Sequence, residues 1–204
     1  MSEERKSTKR ISEVNFCKSE HISPSVTTFS SEQRAILRSM NFNYICKLTG
    51  QSIASLRDEG NTFSYKWHIG EAFEDEHSTL TEVAINTNSF WIIDSDRKTF
   101  AEQTAIILSY SKKINEIVPG VEAKLGKAAD YAELFFTHRK IVGDILFGPN
   151  HDYISTRTTT HSSNAHFVIV GPAYGDEISI CYYNDENRDN KVFVVPLLVP
   201  APIR

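Results

Sequence analysis

Two kinds of cluster in this 204-residue chain have the residue types and spacing for chemistry. Asp94-Ser95-Asp96 sets two carboxylates one residue apart, directly after the apolar run Phe90-Trp91-Ile92-Ile93. Carboxylate oxygens held at a strand end suit a hard divalent cation, Mg2+ or Mn2+. The competing reading is a loop leading into a capped helix, where the helix dipole favours acidic residues without any metal. His77-Ser78-Thr79 and His161-Ser162-Ser163 each follow a histidine with hydroxyl residues. Two surface histidines are the default for such tripeptides.

The two tripeptides resemble the paired His-x-Thr/Ser elements of the two-histidine phosphoesterases. That resemblance implies one histidine of His77 and His161 as general base and the other as general acid, with Thr79 and Ser163 holding the phosphate. It covers these six residues only. The Asp94/Asp96 pair is similar in spacing to the Asp-x-Asp of nucleotide-sugar transferases and phosphoryl-transfer enzymes, and Mg or Mn belongs to this hydrolase alternative alone.

Other residues point to binding. His138 falls between Leu134 and Ile141 on an apolar helical side, where a histidine is either a ligand or a core residue with one satisfied nitrogen. Ser155 to Ser163 surrounds Arg157 with hydroxyls, which suits either an anion or the wet face of a strand. Trp67, Trp91, Tyr131 and His138, with Arg157, are the expected lining of any small-ligand pocket between sheet and helices.

These residues need elements to position them. Thr99-Phe100-Ala101-Glu102 has capping-box form, and Ile107, Tyr110, Ile114 and Ile117 follow at helical steps up to Pro119-Gly120. A second helix is predicted from Val121 to Gly148, with Val121, Leu125, Ala128, Ala132, Phe135 and Val142 as its stripe and Gly148 as its left-handed cap. Ser30-Ser31-Glu32-Gln33 is another capping box, opening a short helix with Phe29 before it, and a further short helix lies around Ile53 to Leu56. Phe63, Tyr65, Trp67 and Ile69 alternate as a strand. Leu80 to Ile85 and Phe90 to Ile93 are predicted to form a hairpin across Asn86-Thr87-Asn88-Ser89. Tyr153 to Thr160, Phe167 to Val170, Ile178 to Tyr182 and Val192 to Val199 are later strands, with Gly171-Pro172 ending the second and a polar turn at Asn184 to Asn190.

This order predicts an α+β fold: one mostly antiparallel sheet of about six to seven strands on two central helices, with short N-terminal helices. Residues 1–28, rich in Ser, Thr, Lys, Arg and Glu, read as a flexible arm before a single domain over 29–204. A net charge of −4 gives no broad nucleic-acid footprint. The three cysteines are odd in number and unpaired in spacing, which suits reduced thiols in the cytoplasm. No apolar run reaches membrane-spanning length. The leading expectation is therefore a non-enzymatic intracellular binding or interaction domain. A protein partner or self-association through a strand edge is expected, giving a homo-oligomer, and a small ligand is possible within it. The alternative is the phosphoester hydrolase.

Overall fold

In a computed structural model of the chain, residues 28–65 and 68–201 are described. The expected arm lies outside them except for Thr28, as does Trp67. In chain order the elements are α1 (Ser31–Ser39), β1 (Tyr44–Lys47), α2 (Ile53–Asp58), β2 (Thr62–Phe63), β3 (Glu82–Ile85), α3 (Phe100–Ile117), β4 (Val121–Lys124), α4 (Ala128–Val142), β5 (Ser155–His161), β6 (Phe167–Tyr174), β7 (Glu177–Tyr183), β8 (Val192–Phe193) and β9 (Leu197–Pro200). Among the described residues the fold is mixed α and β with two sheets and four α-helices, not the single sheet on two central helices expected. One sheet runs β1-β3-β9-β4 and is antiparallel throughout. The other runs β2-β7-β6-β5-β8, with antiparallel pairs at its centre and short parallel pairs at both ends.

The four-stranded sheet is buried on both faces, which explains the near-continuous apolar run of β9. Side chains alternate across a strand. Val83 and Ile85 of β3 and Leu197 and Val199 of β9 join one core with α4 and the five-stranded sheet. Ala84 and Leu198, one residue out of step, join a second core with Leu37 of α1 and Ile107 and Ile114 of α3. The capping boxes at Ser30/Gln33 and Thr99/Glu102 form as their sequences predict.

Three expectations fail for one physical reason: short apolar segments are assigned by long-range pairing, not by local pattern. Val121-Glu122-Ala123-Lys124 fits a helical stripe, but it also alternates with period two, and all four residues pair with β9. The second long helix therefore starts at Ala128 and ends at Val142, where Gly143, not Gly148, takes the left-handed cap conformation with φ of 81°. Val121 and Leu125 are buried outside the helix, whereas Ile141 and Val142 at its end are exposed. The predicted hairpin is absent because both edges of β3 are taken, by β1 and β9. Phe90 to Ile93 forms turns instead, tied to Val194 through the Ile92 amide. Val192 to Val199 is not one strand: β8 and β9 belong to different sheets, and Val194 to Pro196 crosses between them.

Smaller differences follow the same pattern. Among the described residues, the strand predicted from Phe63 onwards is formed only at Thr62–Phe63, paired parallel to β7. β1, unassigned from sequence, is specified by its four pairs with β3. β6 does not stop at Gly171-Pro172; its register with β7 shifts there and pairing resumes to Tyr174. Gly171 is needed at this point, since its φ is +99° and a Cβ would lie 2.6 Å from the Ile154 carbonyl oxygen.

Candidate functional site

α4 organises the sites. Its first turns are buried on all sides, so its two acidic residues there must be satisfied by protein groups. Asp130 accepts from the Ser78 hydroxyl at 2.6 Å and the Lys127 amide at 2.6 Å, and also from the Thr79 amide. Burial still pushes its carboxyl above the usual range, against those hydrogen bonds. One turn on, Glu133 accepts from the Thr49 amide, from the Thr49 hydroxyl at 2.7 Å and from the Gln51 amide at 3.1 Å. These carboxylates strap the loops before α2 and β3 onto the helix.

Beyond the Glu133 strap, a cleft of about 800 Å3 opens between α2, the turn Glu59-Gly60-Asn61 and the second half of α4. Leu56 and Phe136 supply apolar lining, and Ile141 stands at the helix end. Arg139 is held by the Gly175 carbonyl at 2.7 Å and by Asp176, and Gln51 is bonded to Glu59. Among the described residues the side chains of Thr62, Thr137 and Lys140, all lining the cleft, make no hydrogen bond or ion pair. The cleft therefore combines apolar contact with spare hydroxyls and a cation.

The residues singled out from sequence are dispersed. His77 is exposed, with Nδ1 2.7 Å from the Gly50 carbonyl, and Thr79 is exposed beside it. His161 is exposed at the end of β5, its ring 4.2 Å from that of Phe167. Ser163 bonds Glu71 through its amide at 2.8 Å and its hydroxyl at 3.1 Å. What the two segments share is the start of α4: the Ser78 hydroxyl reaches Asp130, and Thr160 Oγ1 accepts the Ala128 amide at 3.0 Å. Ser78 and Thr160 thus anchor the helix, while Ser163 is bound to Glu71 instead. Asp94 is exposed with φ of 61°, and Asp96 is half-buried with Arg97 3.6 Å away. Among the described residues no group of three or more His, Cys, Asp or Glu is placed to hold a metal ion.

Tyr131 lies fully inside, donating to the Val195 carbonyl at 2.6 Å and accepting the Gly126 amide. Arg157 is also fully buried, and its guanidinium donates to the carbonyls of Lys98, Asn184, Asp185 and Asn187. It pins the polar turn to β5, and burial pulls its pKa down despite Asp185, Asp189 and Glu186 nearby. The hydroxyls around it are mostly inside as well: Thr158 donates to the Val168 carbonyl at 2.9 Å, and Thr156 accepts the Val195 amide. Trp91 borders a separate groove of about 370 Å3, with Met40, Phe42, Ile93, Tyr110 and Pro196.

Sequence reasoning passed over Asp130, Glu133 and His151. The first two did leave a signal, as charged residues inside the apolar run Ala128 to Phe136. His151 left none, because its burial depends on the Phe90 turn folding over it. The chain matches no protein-family model, no curated protein and no solved structure.

Proposed function

We propose that this chain is a non-enzymatic binding domain whose ligand site is the cleft between α2 and α4, taking a small polar molecule with an apolar face. The observation that carries this reading is the cleft itself, whose volume lies in the range of small-ligand sites and whose spare polar groups are few. Leu56 and Phe136 provide the apolar contact; Thr62, Thr137 and Lys140 provide hydroxyls and a cation for a polar or anionic group. Self-association through a strand edge draws less support. β2 and β8 are two residues long, and α3 covers the β4 edge, with Ser111 accepting the Ala123 amide and Asn115 donating to the Val121 carbonyl. The hydrolase alternative also draws less, since His77, His161, Asp94 and Asp96 are absent from the cleft lining.

The test is thermal unfolding against a panel of amino acids, dicarboxylates and nucleoside monophosphates. A ligand at 100 times its Kd adds about 2.7 kcal/mol, which for this chain length raises Tm by roughly 2–4 °C per kcal/mol. The shift is expected to vanish in Thr137→Trp, which fills the cleft. A flat panel, or a shift that survives this substitution, overturns the reading.

A further inference from the structure

The other end of α4 carries two histidines on either side of one connection. His138, on the last full turn but one, is 1% exposed; its Nδ1 lies 3.2 Å from the Asp144 carbonyl oxygen. His151, in the 3-10 turn Pro149–His151 that precedes β5, is 4% exposed, and its Nε2 has no hydrogen-bond partner. Aromatic rings enclose both. Tyr44 of β1 stands edge-on to His138 at 4.6 Å, and Phe90 and Trp91 lie 5.0 Å and 6.5 Å from His151. Between the histidines the chain buries Leu146 and Phe147, the latter packed on Phe90 at 4.8 Å.

We propose that His138 and His151 form an acid-sensitive latch, which holds the α4–β5 connection closed while both are neutral and releases it when they are protonated. The charged groups that face them are few. Asp144 acts on both, Asp152 acts on His151, and a charge on His138 opposes protonation of His151. Asp144 cannot serve both imidazoliums freely, since its Oδ1 already accepts the Ile145 amide at 2.9 Å and the Asn150 side chain at 3.1 Å. From β1 the facing groups are Tyr44 and, beside it, Cys46, whose thiol burial pushes up to about 12, so neither offers a negative charge near neutrality. Burial is the first cause holding both histidines below their ordinary pKa, and a second proton therefore enters only if the enclosure opens. Opening moves His151 away from Phe90 and Trp91, and Trp91 is also part of the groove wall by Met40.

Trp91 is the reporter, read in a Trp67→Phe background. Lowering pH from 7.5 to 5 is expected to change Trp91 emission in one step, with an uptake close to two protons. Amide exchange at Gly148 and Tyr153, corrected for intrinsic rate, is expected to rise over the same step while α3 stays protected; each pKa unit of penalty to protonation corresponds to about tenfold. The emission step is expected to disappear in His138→Asn/His151→Gln, checked for folding at pH 7.5 by circular dichroism. A step that persists in that variant overturns the latch, whether or not it is lost in His68→Asn, as does flat emission and exchange in the parent protein. Should the double variant not fold, the exchange pattern of the parent decides alone.

Discussion

The polar residues at the start of α4 and those around its end, His138 and His151, are all buried but differently satisfied. At the start, Asp130 and Glu133 are 1% and 2% exposed, and each carboxylate receives three donors, two of them backbone amides. At the finish, His138 makes a single long bond to a carbonyl, and His151 leaves a nitrogen unbonded. Burial alone therefore does not say what a polar side chain does. A carboxylate with its lone pairs filled ties loops to a helix; a neutral imidazole with a vacancy remains bound only while it stays neutral.

The largest break in this contrast is expected from Glu133→Ala. It removes three hydrogen bonds and strands the Thr49 and Gln51 amides, at a cost of about 3 kcal/mol, with one to two kcal/mol attributable to each unsatisfied group. Urea unfolding would measure it as a lower midpoint with unchanged slope. A loss under about 1 kcal/mol, within the range of ordinary surface changes or mild core changes, would show that the strap is dispensable.

Next in size is the pH dependence. His68, His138 and His151 all have pKa values held down in the folded chain, mainly by burial. The unfolded chain then binds more protons below the ordinary histidine pKa of 6.5, so stability present above that pH is lost as pH falls towards the folded values. The slope is up to about 1.4 kcal/mol per pH unit for each histidine. Asp130 acts with the opposite sign and in a lower window, above its ordinary 3.8, because its folded pKa is raised. Denaturant midpoints between pH 7.5 and 5 should therefore fall, and a pH-independent midpoint over that range would remove the distinction between the two ends of α4.

The smallest effect is expected at His77. Its ring is exposed and its one bond is to the Gly50 carbonyl, so His77→Ala should change stability by less than about 0.5 kcal/mol. The binding reading also predicts that any ligand shift found for the cleft is unaltered in this variant. A ligand shift lost in His77→Ala would return the histidine tripeptides to consideration.

Much of the local structure was legible. Ser30/Gln33 and Thr99/Glu102 form their reciprocal caps, because each box uses only residues three apart and needs nothing from the rest of the chain. β5 and β7 appear where β-branched or alternating residues place them. The site was less legible. Tyr131 and His138 were selected for chemistry by type and apolar setting, and the same setting places both in the interior, where neither lines the cleft.

By itself, then, the sequence determined the starts of α1 and α3, the membership of most apolar residues in a core and the charge pattern that leaves Asp130 and Glu133 inside an apolar helix. Tertiary structure decided which strands pair, because each strand has only two edges and β3 gives both to distant partners. It turned Val121–Lys124 from a possible helical turn into a strand, split Val192–Val199 between two sheets, and closed the Phe90 turn over His151. Those outcomes depend on contacts between residues far apart in the chain, and a local pattern carries no record of them.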